Sequence, residues 1–388
     1  MLAVEVEEAE PGMKLAVAVT HPEKPSHELL RPGFILTDEA IRQLRALSIG
    51  VAYVDYPGLE DLDQHFAVQL SPARQAAYQQ IKRTIVDVQR NERPVAGFSS
   101  YYETTRNLIT TLLDTGRQPC HIEMLCGNLG KDAVAHATTV AQLALTLGLR
   151  LEQYVIQQRS RLPANQAKQV VNLGVAGMLH DVGKAKLPSD LQEFSDVAPP
   201  QDKAKREAWE GHARIGYELI HDDVEATAAS AVLHHHQHFD GSGFPHGNGE
   251  AAAQAGDKIH VFSRILLAAD LYDRLASGPD GRRRPGVEVF HAMRTRYAGW
   301  VDPEILKMFA AVVPPFPPGA RVRLSDGAEA VVIAPNPADP YRPPVRRIEG
   351  EERTLSEPIP LAKPGAPSII AVGGIVVEQI VPALTAVA

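Results

Sequence analysis

Histidine stands out in this chain of 388 residues, because 11 of its 15 histidines lie between His136 and His291. One of them is followed directly by a carboxylate, in the pair His180-Asp181. Neighbouring residues on a helix point about 100° apart, so these two side chains converge only on something that they share, such as a metal. Imidazole and carboxylate groups together suit divalent transition metals, and the stretch therefore predicts a His/Asp metal site.

The pair His180-Asp181 comes at the end of an apolar segment, 171–179, that is predicted to be helical. Gly183 is expected to permit a turn directly after the pair. Lys184 then lies within reach of any anion held at the site. A buried carboxylate without a cation is costly, so either a metal or Lys184 must compensate the charge of Asp181.

Other helical segments of the same stretch offer further ligands. These are His136 on a predicted helix from Asp132 to Leu147, His212 at the start of another helix, His235 and His236 at the end of a third, and Asp270 on the apolar side of a fourth. Taken singly, each residue has an ordinary explanation, such as a satisfied core or surface side chain. Taken together, so many ligand-type residues in one helical block favour a metal site.

Four regions can be predicted from composition and periodicity. Residues 1–60 are predicted to be a small α/β domain, and residues 61–128 to be connecting helices. Residues 129–312 have apolar residues at helical spacing and few strand signals, so an all-helical domain is expected there. Residues 313–388 combine a proline-rich linker with a small β-rich extension. The predicted fold class is mainly α, with all candidate ligands in the helical domain.

Local signals also predict individual elements at the two ends of the chain. The predicted elements are strands at 14–19, 33–36 and 51–56, a helix at 38–47 with Thr37 as its N-cap, and a β-hairpin formed by 321–324 and 330–333 around the turn Asp326-Gly327. These elements flank the helical domain and carry none of the candidate ligands.

Charge and cysteine content exclude several classes of protein. Lys and Arg total 39 and Asp and Glu total 47, so the net charge of −8 offers no basic excess for nucleic acid. Cys120 and Cys126 are too few for a disulfide framework, so we expect reduced thiols in a cytoplasmic protein. No signal peptide is recognisable at the N-terminus. The apolar tail 368–388 is interrupted by Glu378 and Pro382, which favours a packed tail over a membrane span.

The order of these segments resembles the HD-domain phosphohydrolases, and specifically the HD-GYP family of cyclic di-GMP phosphodiesterases. The residues that carry the resemblance are HATTVAQLAL at 136–145, HDVGK at 180–184, HARIGYELI at 212–220, HHQHFDGSGFP at 235–245 and GDKIHVFSRILLAADLYDRLAS at 256–277. The resemblance covers residues 129–285, and the flanking regions resemble small domains that often accompany HD-GYP domains. It implies an all-helical HD-domain bundle that holds two or three metals, usually iron or manganese.

The resemblance also implies roles for individual residues. One metal would be bound by His136, His180, Asp181 and Asp270, and a second by Asp181, His212, His235 and His236, with Asp181 bridging the two. Lys184 would contact the scissile phosphate. A hydroxide that bridges two cations is a nucleophile at neutral pH, and the cations neutralise charge that develops on the phosphate. In-line attack would open cyclic di-GMP to the linear dinucleotide pGpG, either as the final product or on the way to GMP.

The sequence departs from the family pattern near the predicted ligands. Position 132 is usually Tyr or Glu, and Glu accompanies a third metal, whereas Asp132 is one methylene shorter than Glu but shares a helix face with His136. A two-metal site and a three-metal site that includes Asp132 both stay open. The usual His-His-Glu becomes His235-His236-Gln237, and His234 before it allows the ligand pair to be one residue earlier. The offset from Asp240 favours His235 and His236.

Two further departures concern the part of the site that would contact the nucleotide. The GYP signature becomes Gly243-Phe244-Pro245, which loses a phenol hydroxyl but keeps the turn and the aromatic face, so Gly243 and Phe244 are candidate substrate contacts. The family's Arg-Pro-Tyr-Arg/Lys segment becomes 278–285, in which Arg282 and Arg283 are candidates to bind phosphate. The alternative is that these arginines belong to a solvated loop.

Two functional hypotheses follow. The complete ligand set with Lys184 predicts a metal-dependent cyclic di-GMP phosphodiesterase. The changes at 244 and 278–284 instead suggest a catalytically weak or inactive relative that binds cyclic di-GMP or a signalling partner. A diguanylate cyclase (GGDEF) protein is a candidate partner under either hypothesis. A third interpretation is hydrolysis of a different phosphoester, because the substrate-side changes permit it.

Overall fold

The computed structural model describes most of the chain. The described residues are 1–21, 24–47, 49–60, 62, 70–92, 94, 97–114, 132–246, 254–278, 283–350 and 354–381. Cys120, Cys126 and Arg282 lie outside the described residues, so the interpretations given to them stay predictions. The boundaries between the four predicted regions likewise stay predictions.

The N-terminal region contains two antiparallel strand pairs and one helix. They are β1 (Leu2–Glu5) with β4 (Val51–Val54), β2 (Val19–His21) with β3 (Lys24–Leu30), and α1 (Asp38–Ala46). As predicted, the Thr37 hydroxyl caps α1 and accepts a hydrogen bond from the Ala40 amide at 3.2 Å. The predicted strands at 14–19 and 33–36 are wrong over most of their length, because β1 takes the ladder position beside β4. Only single bridges remain there, Leu15 with Val54 and Lys14 with Ile35.

The middle of the chain is helical, which confirms the mainly α fold class. Its helices are α2 (Leu70–Gln89), α3 (Tyr101–Asp114), α4 (Ala133–Arg150), α5 (Glu152–Gln158), α6 (Ala164–Ala167), α7 (Val171–Leu179), α8 (Lys203–Glu210), α9 (His212–Ile220), α10 (Ala226–Leu233), α11 (Val261–Ala276), α12 (Gly286–Arg294) and α13 (Pro303–Val312). Among these described segments, no helix combines the length and apolar character needed to cross a bilayer.

Helix α4 lies at the centre of the bundle and packs against both α7 and α11. The first contact is unusually close, because a Cβ on Gly177 of α7 would lie 2.7 Å from the Cα of Ala141 on α4. Close backbone approach leaves no room for a larger residue there. The N-terminal end of α4 and the C-terminal end of α7, which carry His136 and His180, are thereby held together.

A buried ion pair fixes the position of α11. The guanidinium of Arg264 on α11 donates to the carboxylate of Asp302, the N-cap of α13, at 2.6 Å. The Tyr154 hydroxyl donates to the same carboxylate at 2.6 Å. Both partners of the ion pair are almost fully buried, so the pair links α5, α11 and α13 with its polar atoms shielded from water.

The C-terminal region forms an antiparallel sheet with the order β11-β10-β5-β6-β7-β8, and β9 pairs with the edge of β7. Its strands are β5 (Arg321–Leu324), β6 (Glu329–Val332), β7 (Pro344–Glu349), β8 (Thr354–Leu355), β9 (Ile359–Pro360), β10 (Ile369–Val372) and β11 (Ile375–Val376). The predicted hairpin of β5 and β6 is confirmed. Side chains on β6 alternate, so Ala330 and Val332 join the core of the bundle while Val331 joins the N-terminal core.

Candidate metal centre

The predicted ligands come from five separate places in the bundle. His136 lies in the first turn of α4, and His212 begins α9. His180 and Asp181 follow the end of α7, His235 and His236 follow the end of α10, and Asp270 lies in the middle of α11. All seven side chains are buried. The structure therefore brings together every residue predicted to bind a metal except Asp132.

A first group consists of His136, His180 and Asp270. The Nε2 atom of His136 lies 2.8 Å from Oδ1 of Asp270 and 3.3 Å from Nε2 of His180. The distance from His180 Nε2 to Asp270 Oδ1 is 3.8 Å. Three ligand atoms from α4, α7 and α11 thus face one small space.

A second group consists of Asp181, His212, His235 and His236. Nε2 of His212 lies 3.1 Å from Nε2 of His236. Oδ1 of Asp181 lies 3.4 Å from His212 Nε2 and 3.7 Å from His235 Nε2. His235 and His236 therefore face the second group, in the register that was predicted, whereas the Nδ1 atom of His234 donates to the Ser230 carbonyl at 2.9 Å.

Asp181 lies between the two groups. While its Oδ1 faces the second group, its Oδ2 lies 3.6 Å from His180 Nε2 and 3.9 Å from His136 Nε2, both in the first group. A carboxylate that presents one oxygen to each group can bridge two cations. This is the geometry that the predicted bridging role of Asp181 requires.

Hydrogen bonds on the far side of each imidazole orient the ligands. Nδ1 donates to a backbone carbonyl in His180, His212 and His235, namely those of Gly177, Trp209 and Val232. In His136 and His236 it faces a carboxylate instead. Because a carbonyl only accepts, the proton must be on Nδ1, and the Nε2 lone pair is left to face the centre. Such partners fix the orientation of a metal-binding imidazole.

These atoms fit divalent metals better than they fit each other. In the second group the Nε2 lone pairs of His212 and His236 face one another at 3.1 Å, which is repulsive unless a cation lies between them. Asp181 Oδ1 and His235 Nε2 are buried and have no hydrogen-bond partner among the described residues. Buried polar atoms of this kind are costly without a ligand. The centre is therefore suited to hold metals.

Burial and neighbouring charges hold several of the candidate ligands in the protonation state that binds a cation. Burial lowers the pKa of His180 and of His236 to about 3, so both are neutral at physiological pH. Burial would raise the pKa of the Asp181 carboxyl, but Lys184 and the nearby imidazoles hold it well below its usual range. The pKa of Asp270 is also held low despite its burial, chiefly by the hydrogen bond from His136. The two carboxylates are therefore ionised and His180 and His236 are neutral at pH 7, so these four ligands can bind a cation without losing a proton.

These pKa shifts predict that the metal-free protein loses stability in mild acid. The pKa of His180 and of His236 is about 3 in the folded protein and 6.5 in the unfolded chain. Their contribution to stability is therefore complete above pH 6.5 and is lost as the pH falls towards 3. Hydrogen bonds to Asp270 and Asp273 raise the pKa of His136 despite its burial, which opposes part of the effect.

We expect a net loss of roughly 2 kcal/mol between pH 7 and pH 5. Denaturant unfolding of chelator-treated protein at a series of pH values measures it. A stability that is flat or rises over this range would show that the buried histidines are not neutral in the folded protein.

Sequence reasoning missed two carboxylates that support the ligands. Asp273 Oδ2 lies 2.7 Å from His136 Nδ1, and Asp196 Oδ2 lies 2.5 Å from His236 Nδ1. Asp196 also forms a third potential ligand group with His236 and Asp270. Asp273 follows Asp270 by three residues on the same helix, so helical spacing could have indicated that the two share a face. Asp196 lies in an irregular segment before α8, where no periodic pattern marks a buried residue.

Replacing Asp196 by asparagine is expected to weaken metal binding by about 10- to 100-fold, because the carboxylate that orients His236 loses its charge. A competition titration with a fluorescent chelator measures the affinity. At saturating metal the turnover should return close to that of the wild type, since no ligand has been removed. Asp190→Asn is the matched control, because Asp190 is exposed in the same stretch of chain and pairs with Lys205. Equal affinity in Asp196→Asn and the wild type would exclude this supporting role.

Two cationic side chains contact the carboxylate of Asp181. Nζ of Lys184 lies 2.9 Å from Asp181 Oδ2 and also donates to the Phe194 carbonyl at 3.1 Å. Nη2 of Arg274, on α11, lies 2.8 Å from the same Oδ2 atom. Lys184 is therefore next to the ligands, as predicted, whereas Arg274 was not among the predicted site residues.

Gly243, Phe244 and Arg283, which are predicted to contact the substrate, are not members of the potential ligand groups. Phe244 is 5% exposed, and its ring stacks on His236 at a centroid distance of 4.4 Å. A Cβ on Gly243 would lie 2.0 Å from the carbonyl oxygen of His236, so the backbone passes too close for any other residue. Arg283 lies 3.2 Å from Asp273 and not beside the ligand groups. The part of the chain that the structure describes thus places these residues as supports of the ligands, and their substrate contacts stay predictions.

Asp132 is the N-cap of α4 and lies apart from the three potential ligand groups. Its Oδ1 accepts a hydrogen bond from the Ala135 amide at 2.7 Å, and its Oδ2 accepts one from the Tyr78 hydroxyl at 3.0 Å. Both carboxylate oxygens therefore have protein partners. A role of Asp132 as a ligand to a third metal stays a prediction.

The fold and this arrangement of His and Asp side chains agree with the family model that matches residues 132–305, which is described as the HD domain. It is similar to cyclic di-GMP phosphodiesterase PA4108 of Pseudomonas aeruginosa, with 25% identity over 78% of this chain and 74% of that protein. Cyclic di-GMP phosphodiesterase response regulator RpfG of Xanthomonas campestris is 32% identical over 28% of each chain. The 3'3'-cGAMP-specific phosphodiesterase 3 of Vibrio cholerae is 31% identical over 33% of this chain and 26% of that protein. These similarities confirm the resemblance that the sequence motifs indicated.

Proposed function

We propose that this protein is a metal-dependent phosphodiesterase that opens cyclic di-GMP to pGpG and then acts on pGpG to release GMP. The observation that carries the proposal is Asp181, whose two oxygens face two separate groups of buried ligands. Two adjacent cation sites are suited to phosphodiester hydrolysis, because they can act on both the attacking group and the phosphate. Relatives named cyclic di-GMP phosphodiesterases support the choice of substrate.

The HD domain implies divalent metals, and the two ligand groups suggest how they are shared. His136, His180, Asp181 and Asp270 would hold one metal, and Asp181, His212, His235 and His236 would hold the second. Mixed imidazole and carboxylate ligands suit iron or manganese, which we propose as the metals. Such cations supply a nucleophile from water at neutral pH and neutralise charge on the phosphate.

Lys184 is the residue best placed to hold the substrate phosphate. Its ammonium group is buried beside Asp181, at the edge of the second ligand group. Asp181 holds it there while the site is free of substrate. A phosphate group that enters beside the bridging carboxylate would offer the ammonium a second anionic partner, and a charge-assisted hydrogen bond would position the ester for in-line attack.

Product analysis tests the proposal. Protein reconstituted with iron or manganese under reducing conditions is incubated with cyclic di-GMP, and the nucleotides are separated by anion-exchange chromatography. We expect pGpG to form first and GMP to follow. Binding of cyclic di-GMP without any product would overturn hydrolysis and favour the binding-protein interpretation.

A second candidate substrate is 3'3'-cGAMP, because one relative is named as specific for it. The two cyclic dinucleotides differ in one base, so the phosphodiester chemistry would be the same. Parallel assays with both substrates give the ratio of kcat/KM values that defines the specificity.

We further propose that the protein acts in the cytoplasm, with a diguanylate cyclase (GGDEF) protein as a signalling partner.

A further inference from the structure

Arg274 places a guanidinium directly beside the candidate metal centre. Its Nη2 lies 2.8 Å from Oδ2 of Asp181, and its Nε lies 3.5 Å from Oδ1 of Asp270. Asp270 belongs to the first ligand group, and Asp181 lies between the first group and the second. The Arg274 side chain is 22% exposed, whereas both carboxylates are nearly buried, so it extends from the ligands to the surface.

This contact adds to the charge compensation that Lys184 gives Asp181 and that His136 gives Asp270 in the metal-free protein. Lys184 reaches the same Oδ2 atom of Asp181, so two cations converge on one carboxylate oxygen. A divalent cation bound by Asp181 and Asp270 would take over that role and repel the guanidinium at the same time. Arg274 would then need another anion, and it is long enough to reach one nearby without leaving the centre.

We propose that Arg274 binds the phosphate of the substrate. Until cations occupy the ligand groups, Asp181 and Asp270 bind the guanidinium of Arg274 instead. A planar guanidinium binds phosphate through two parallel hydrogen bonds, which also fixes the orientation of the ester. Together with Lys184 it would form a pair of cationic groups beside the bridging carboxylate. The identity of the phosphoester rests on the proposed function, but the binding of phosphate by Arg274 can be tested without turnover.

The neighbouring arginine Arg283 is less suited to this role. Its Nη1 and Nη2 atoms lie 3.2 and 3.3 Å from Oδ1 of Asp273, a carboxylate that supports His136 from behind. Arg283 therefore reaches the ligand His136 through Asp273. Arg274 contacts two carboxylates of the centre itself, which makes it the better candidate for a direct contact with substrate.

Binding of inorganic phosphate to manganese-loaded protein tests the proposal by calorimetry, with the manganese content measured by elemental analysis. We expect Arg274→Ala to bind manganese at least as tightly as the wild type, because a competing cation is gone. The same variant should bind phosphate about tenfold more weakly or worse, since one charge-assisted pair of hydrogen bonds is lost. Arg274→Lys should lie between the two, because it keeps the charge without the planar fork.

Arg206→Ala is the control, because Arg206 lies on α8 with an exposed side chain and contacts Glu210. It should match the wild type in both measurements. Unchanged phosphate affinity in Arg274→Ala would overturn the proposal, and so would a joint loss of manganese and phosphate binding, which would indicate a structural role. If wild-type protein binds phosphate through Arg274 but does not turn over cyclic di-GMP, the proposed function fails while this inference stands.

Discussion

Replacement of Asp181 by asparagine is expected to reduce the turnover of cyclic di-GMP by on the order of a thousandfold or more. Asp181 presents one oxygen to each ligand group, so both groups lose a charged ligand in a single substitution. Asparagine keeps the shape of the side chain but offers one neutral acceptor, which cannot bridge two cations. Bound metal should fall in the same variant, because ligand charge sets much of the affinity for a divalent cation.

The variant also separates metal loss from a folding defect. Lys184 and Arg274 lose their common partner in Asp181→Asn, so the melting temperature must be measured beside the activity. Asp190→Asn provides the matched change at an exposed site and should leave turnover and metal content unaffected. If Asp181→Asn keeps both metals and at least a tenth of the wild-type rate, Asp181 does not bridge the centre.

Substitution of Gly183 by alanine is expected to destabilise the protein by about 3 kcal/mol and to lower its metal content. A Cβ at this position would lie 2.0 Å from the backbone oxygen of His212 and 2.6 Å from the amide nitrogen of Gly216. Neither atom belongs to a flexible side chain, so the first turn of α9 must move away from the 3-10 turn 182–186. His212 lies at that point of α9 and would move away from Asp181.

Thermal and denaturant unfolding with and without added metal measure both effects. Gly50→Ala is the control, because a Cβ there meets no atom within 4 Å and the backbone conformation is ordinary. A Gly183→Ala protein with wild-type stability and metal affinity would contradict the close packing of α9 on the 3-10 turn. Destabilisation with unchanged metal affinity would show that the centre tolerates movement of His212.

Gly183 also shows what local sequence patterns miss. The sequence predicts that this glycine is needed for a turn, yet its φ is not among the positive values that favour glycine. The residue is instead required by the approach of α9, which lies about thirty residues further along the chain. A requirement set by a distant backbone has no periodic or compositional signal in the sequence.

The ligands could be predicted because each one lies on an element with a clear helical pattern. His136 and Asp270 are on long buried helices, and His180 and His212 are at helix ends that the apolar spacing defines. The side-chain types then restrict the chemistry to metals and phosphate. The grouping of the ligands around Asp181 came from the resemblance, since the sequence alone does not state which helices pack together.

The site residues and strand that were not predicted differ in whether the sequence carries a recognisable pattern for them. Arg274 lies four residues after Asp270 on the same helix, so the i, i+4 spacing of opposite charges could have indicated the contact. Asp196 has no such signal, because its segment is irregular and its partner His236 is forty residues away. At the N-terminus, β1 was not predicted because it has only four residues, one of which is the acidic Glu5, and its pairing with β4 displaces the strand predicted at 14–19.

Turnover followed during anaerobic addition of iron or manganese to chelator-treated protein is the most direct test of a metal-dependent phosphodiesterase. Bound metal is counted by elemental analysis on the same samples, and cyclic di-GMP, pGpG and GMP are quantified together. We predict no turnover without metal and a rate that increases with metal content to a maximum at two bound metals per chain. Full turnover by the metal-free protein, or none at two bound metals, would contradict the proposed function.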